Sequence, residues 1–312
     1  DVNLYLKDVV IALKEQVKTL FDLLMESAEQ YQNVLLPGYT HLQIAMPSSF
    51  GMWFSAYAET LIDDITMLNA ALKVVNQNPL GSAAGYGSSF PINRTFTTQE
   101  LGFATLKFNS VAAQMSRGKS EKTVAFAMSS VAATLAKFSM DVCLYMSQNF
   151  DFISLPAHLT TGSSIMPHKK NPDVFELIRG KCNKIQALPY EITLITNNLP
   201  SGYHREFQLL KEGLFPAIQN LKACLDIAIF SIKDIKVKDN ILADPKYNYL
   251  FTVDTLNEMV VAGMPFRDAY KAVAEQLENG TYESPKATQH THEGSINNLC
   301  LKEIKEKMQN AF

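Results

Sequence analysis

The stretch SEKTVAFAMSSVAATLAKFSMDVCLYMSQN (Ser120–Asn149) carries neither proline nor glycine, and charge is sparse along it. Ala, Leu and Met favour helix, and small residues let neighbouring helices approach closely. The pattern predicts one long helix over 120–149. Helices in ordinary domains average about 11–12 residues. A helix this long and this poor in charge has to bury more than one face. It therefore points to a bundle that also packs against other subunits.

The flanking sequence repeats the theme. In DVNLYLKDVVIALKEQVKTLFDLLMESAEQ, Leu6, Val9, Val10, Leu13, Val17, Leu20, Phe21 and Leu24 recur at spacings of three and four. That spacing predicts a helix over 2–34, stopped by Pro37-Gly38. A second helix is expected from Pro47 to Val75, then a Gly/Ser/Asn/Pro-rich loop over 76–93. Further helices are expected over 172–197 and over 206–232, the latter bent near Pro216. No alternating strands and no fixed-period repeat are visible. From Lys236 the segments shorten, with turns at Asp244-Pro245, Gly263-Met264-Pro265 and Glu283-Ser284-Pro285. The expected architecture is all-α: a long-helix bundle domain (1–235) and a small C-terminal helical domain (236–312).

Composition narrows the function classes. The 312 residues are 47% apolar, with a formal net charge of −3. No basic block points to nucleic acid, and no uninterrupted apolar run reaches the roughly 18 residues of a membrane span. Cys143, Cys182, Cys224 and Cys300 show no CxxC or metal-ligand spacing and read as reduced thiols of a cytoplasmic protein. His290 and His292 read as surface rather than as metal ligands. No signal peptide is visible, and the helical rhythm that starts at residue 1 without Met reads as a fragment of a longer chain.

Chemistry concentrates in TTGSSIMPHKKNPDVFEL (Thr160–Leu177). Asn171 and Pro172 read as the cap and first residue of a helix. Gly162 permits a tight turn, whose successive N–H groups would form an anion-binding concavity. The helix N-terminus is already positive, and Lys169 and Lys170 precede it. Three sources of positive potential on one loop make sense if an anion binds there. Solvated lysines on a surface loop would explain the same residues.

The segment GSSIMPHKKNP resembles the Gly-Ser-Ser-x-Met-Pro-x-Lys-x-Asn-Pro signature of the fumarase/aspartase superfamily, and KKNPDVFELIRGK resembles the argininosuccinate lyase family in particular. LPGYTHLQIAMP, NPLGSAAGYGSSFPINR, GYHREFQLLKE and GMPFRDAYKAV resemble further segments of that family, in order along nearly the whole chain. The resemblance implies a homotetramer around a central helical bundle, with active sites shared between subunits. It implies a lyase that splits argininosuccinate, or a close N-modified derivative, into arginine and fumarate. Ser163 matches the catalytic base and Lys169 its charge partner. His41 matches the second catalytic element, with Glu176 of a neighbouring subunit as its partner. Thr40, Gln43, Ser164, Asn171, Tyr203, Gln208 and Lys211 match substrate contacts. The substrate is a small dicarboxylate; no cofactor, metal, nucleic acid or membrane is implied. Another lyase of the superfamily (adenylosuccinate lyase, aspartase or fumarase) and a crystallin-like relative without activity stand as alternatives.

The sequence departs from the family pattern in places. Asn93 replaces an Asp, Arg205-Glu206 is atypical, and SRGKSEKTVAF (Ser116–Phe126) stands where Ser-Arg-Asp-Phe is usual. The family's Ser-Arg-Asn-Asp-Gln motif is expected to lie before residue 1.

Overall fold

A computed structural model describes residues 2–285 and 289–312. Four long helices form its centre: α1 (Val2–Gln30), α2 (Phe50–Val75), α5 (Lys119–Tyr145) and α8 (Leu210–Ile232). The apolar stripe read in α1 is the buried one, with Leu6, Val10, Leu13 and Val17 closed off from solvent against α2 and α8. Two shorter helices, α3 (Arg94–Glu100) and α4 (Ser110–Met115), lie between α2 and α5. The helix expected over 172–197 is two helices, α6 (Asp173–Ile185) and α7 (Leu188–Ile195). Pro189 has no N–H to give Ile185 and ends the first helix there.

The sequence reading missed strands. Residues assigned to the stop of the first helix and the start of the second form a hairpin, β1 (Leu35–Thr40) with β2 (Gln43–Ser49). Pro37 pairs with Pro47, and a bulge follows at Gly38, where a Cβ would meet the Met46 carbonyl oxygen at 2.8 Å. Prolines in both strands hide this hairpin from sequence patterns, since proline demotes a strand assignment. Six two-residue strands pin loops: β3 (Gln77–Asn78) with β4 (Thr105–Leu106), β5 (Ile153–Ser154) with β8 (Lys236–Val237), and β6 (Thr161–Gly162) with β7 (Lys170–Asn171).

The β5–β8 pair joins the C-terminal ends of α5 and α8, so these two helices run parallel. Helix α6 runs antiparallel to α5: Arg179 donates to the Met140 sulfur at 3.0 Å. Past β8 the chain makes two associations. Helices α9 (Thr252–Val261) and α10 (Phe266–Glu278) share a small apolar cluster of Leu256, Ala269 and Val273. Helix α11 (Leu301–Ala311) instead returns to the bundle, where Ile304 and Met308 join the main core. Its Lys305 and Lys307 pair with Glu29 of α1 and Glu59 of α2, at 2.5 and 2.9 Å.

By length and composition, Lys119–Tyr145 and Arg205–Ile232 are apolar enough to cross a membrane, although no uninterrupted apolar run signalled it. Here they are the central helices of the bundle, half covered by their neighbours. Phe126, Met140, Ile227 and Phe230 remain about half exposed on their outer faces.

Candidate active site

Ser163 sits in the loop between β6 and β7. Its Oγ accepts hydrogen bonds from the backbone N–H groups of Ile165 (3.3 Å) and Met166 (3.1 Å). The Lys169 N–H donates to the Met166 carbonyl at 3.0 Å and closes the turn. Two N–H dipoles aimed at one hydroxyl oxygen favour its anionic form. Ser164, Lys169 and Lys170 are exposed around it. Lys169 and Lys170 enter no salt bridge among the described residues.

Two expectations about this loop are corrected. Asn171 does not cap α6; it lies in β7 opposite Thr161, and its Nδ2 donates to Thr161 Oγ1 at 3.4 Å. The cap position is Pro172, which offers no side-chain acceptor. Gly162 is not the turn residue, because it is extended in β6 and a Cβ there would meet nothing. The turn is made by 163–169. The positive helix end is answered locally as well: Asp173 and Glu176 occupy the first turn of α6, and Asp173 Oδ1 accepts from the Thr161 N–H at 3.1 Å.

His41 and Leu42 form the two-residue tip of the β1–β2 hairpin, flanked by the Thr40–Gln43 pair. Both have positive φ, 54° and 59°. That is the geometry of a type I′ turn, which Asn-Gly normally occupies and a leucine adopts only under strain. The hairpin is held from behind. Tyr39 packs its ring on Phe150 and Phe152, and its hydroxyl lies 3.4 Å from that of Tyr247. Burial pushes the Tyr39 phenol well above its usual range, so it stays neutral. Glu176 lies against Cys143 near the end of α5. Burial raises the Cys143 thiol pKa; Arg179 opposes the shift and Glu176 adds to it. No hydrogen bond joins His41 to Glu176 among the described residues.

Tyr203, Gln208 and Lys211 are at the other end of the bundle. A 3-10 turn, Arg205–Gln208, leads into α8. Gln208 Nε2 donates to the Tyr203 hydroxyl at 3.0 Å, and Lys211 is exposed in the first turn of α8. Tyr203 lines a cavity of about 570 Å³ together with Leu80, Gly81, Ser82, Ser116 and Arg117. This is where the Pro-Leu-Gly-Ser loop meets the start of α5. A second cavity of about 540 Å³, lined by Leu35, Asn240, Tyr247 and Ser284, contains none of the expected residues.

The predicted residues thus fall into two groups. The Ser163 loop, Glu176 and the base of the His41 hairpin lie toward the C-terminal end of α5. Tyr203, Gln208 and Lys211 lie by its N-terminal end. The 27 residues of α5 separate the groups by about 40 Å.

Residues outside the expected site set hold the second group. Arg94 donates to three carbonyls, those of Leu80 (2.9 Å), Lys107 (2.8 Å) and Phe108 (2.8 Å), and so staples the Pro-Leu-Gly-Ser loop. Asn93, the departure from the family's Asp, caps α3 through the Phe96 N–H at 2.9 Å. Arg117 and Glu121 pair at 2.9 Å beneath the Tyr203 turn. His290, expected at the surface, is mostly covered and pairs with Asp254 at 2.5 Å.

The chain is similar to known proteins in sequence and in fold. The lyase family profile (Lyase_1) matches residues 1–187. Argininosuccinate lyase of Parabacteroides distasonis is 56% identical over 312 residues, all of this chain and 70% of its own length. The enzyme of Xanthomonas oryzae pv. oryzae is 39% identical over 273 residues, 88% of this chain and 63% of its own. Among solved structures, an EDDS lyase variant with bound fumarate has a TM-score of 0.82 at 20% identity, covering 99% of this chain and 69% of that one. Class II fumarase from Schistosoma mansoni has a TM-score of 0.77 at 18% identity, covering 99% and 68%. The two structures establish the fold, and the relatives in sequence establish the family: the chain belongs to the argininosuccinate lyase family.

Proposed function

We propose that the chain cleaves argininosuccinate to arginine and fumarate by anti elimination. The observation that carries this reading is Ser163 Oγ receiving two backbone N–H groups inside a lysine-bearing hairpin loop. A serine hydroxyl is a weak base until its alkoxide is stabilised, and the N–H groups of Ile165 and Met166 with the Lys169 charge supply that. Ser163 takes the proton from the carbon beside the succinyl carboxylate. The electron pair moves into that carboxylate, giving a dianion that Lys169, Asn171 and the loop N–H groups hold. Collapse of the dianion breaks the C–N bond, and the guanidino nitrogen takes a proton as it leaves. His41, oriented by Glu176 of a neighbouring copy, serves that second half. Thr40, Gln43, Ser164, Tyr203, Gln208 and Lys211 hold the rest of the substrate.

The two groups of residues, about 40 Å apart along α5, cannot meet on one small molecule within one chain. Together with the half-exposed apolar faces of α5 and α8, this supports sites shared between copies of the chain; the oligomer in this proposal is a homotetramer, and its place the cytoplasm. The division into a bundle domain (1–235) and a small C-terminal helical domain (236–312) is part of this proposal; within the second, α9 and α10 share an apolar cluster of their own, while Ile304 and Met308 of α11 pack into the bundle core.

Fumarate release from argininosuccinate, followed by ultraviolet absorbance, tests the reading. Turnover is expected, and Ser163→Ala is expected to abolish it with helical content unchanged. Near-normal turnover of Ser163→Ala removes Ser163 as the base.

A further inference from the structure

The cavity at the start of α5 depends on a charge pair that the reaction itself does not require. Glu121 is a carboxylate with 1% exposure. Its Oε2 accepts from the Gly118 N–H at 2.7 Å, and its Oε1 accepts from Arg117 Nε at 2.9 Å. Arg117 also reaches the 203–208 turn: Nη2 donates to the Phe207 carbonyl at 3.2 Å, and the guanidinium lies 5.8 Å from the Phe207 ring centre. Gly118 is tight against the same place. It has φ 80°, and a Cβ there would meet Thr196 Cγ2 at 2.6 Å and Phe207 at 3.3 Å.

Burying such a pair costs desolvation that the mutual attraction barely offsets. Its geometric effect is specific, however. Phe207 is the residue before Gln208, and Gln208 donates to the Tyr203 hydroxyl. We propose that Arg117, locked by Glu121, is a positioning residue: it fixes the 203–208 turn through the Phe207 carbonyl, and so sets how Tyr203, Gln208 and Lys211 grip the end of the substrate remote from Ser163. This rests on the lyase reading for its kinetic arm.

Arg117→Lys keeps a positive charge for Glu121 but loses the planar second donor to Phe207. The remote end is held alike in ground and transition states, so the expected signature is KM raised about tenfold with kcat within about twofold. A double-mutant cycle with Gln208→Ala is expected to be non-additive, because Arg117 acts through that turn. Hydrogen exchange in the full chain gives a readout independent of substrate: amides of 203–209 should exchange faster in Arg117→Lys, with the middle of α5 unchanged. Unchanged exchange at 203–209 overturns the proposal. Changed exchange with an unmoved KM overturns its kinetic consequence. A wild-type chain that releases no fumarate sinks the lyase reading, while the exchange experiment still decides the positioning role.

Discussion

Mixing the Ser163→Ala and Lys211→Met variants should restore activity that neither has alone. In one chain these residues lie toward opposite ends of α5, about 40 Å apart. If both act on one substrate, they come from different copies. Each substitution is severe by itself. Ser163→Ala removes the proposed base, and losing one charge-assisted contact proposed for Lys211 costs about 2–3 kcal/mol, roughly 30- to 150-fold in kcat/KM. In the proposed tetramer, assembled at random from equal amounts, a site draws an intact Ser163 with probability one half and an intact Lys211 with probability one half. About a quarter of the sites then carry both. Co-refolding the two variants should therefore recover roughly a quarter of wild-type fumarate release, well above either parent. Native mass spectrometry reports whether mixed tetramers formed. Mixed tetramers with only parental activity would refute the argument, because the two residues would then serve a site within a single chain.

Two further predictions concern groups away from the reacting atoms. Asp64, 2% exposed on α2, accepts from Ser130 at 2.5 Å. Burial raises its pKa, the hydroxyls of Ser130 and Thr134 pull the other way, and Asp63 adds to the rise. A raised carboxyl binds its proton more tightly when folded, so its contribution falls as pH climbs from the ordinary carboxylate value through the raised one. Asp64→Asn should match wild type in acid and be the more stable protein near pH 8, read from urea denaturation at both pH values; a difference independent of pH would count against the burial effect. At the hairpin tip, Leu42 is 72% exposed with φ 59°, so Leu42→Asn loses little burial and relieves the left-handed strain. Stability should rise by about 0.5–1 kcal/mol, read from urea denaturation, because Asn favours the same turn backbone. A stability loss would mean that the leucine packs where the structure leaves it open.

The long helices were legible in advance because their signal is local. Apolar residues at three- and four-residue spacing name the buried stripe of α1, and the lack of proline and glycine over 120–149 identifies α5. The loop at Thr160–Leu177 was legible for a related reason, since its lysines, serines and prolines are contiguous. The hairpin at 35–49 was not legible. Its prolines oppose a strand assignment, and its turn uses His41-Leu42 in place of Asn-Gly, so it stands on Tyr39 packing against Phe150, Phe152 and Tyr247. Arg117 was visible only as an oddity in SRGKSEK, because its partner carbonyl at Phe207 is 90 residues away. The separation of Ser163 from Lys211 was also beyond sequence. The two are only 48 positions apart in the chain. Once α6 folds back along α5 and α8 starts again at its far end, they stand a full helix apart, and residues that are close in sequence are drawn to opposite ends of the bundle by its tertiary path.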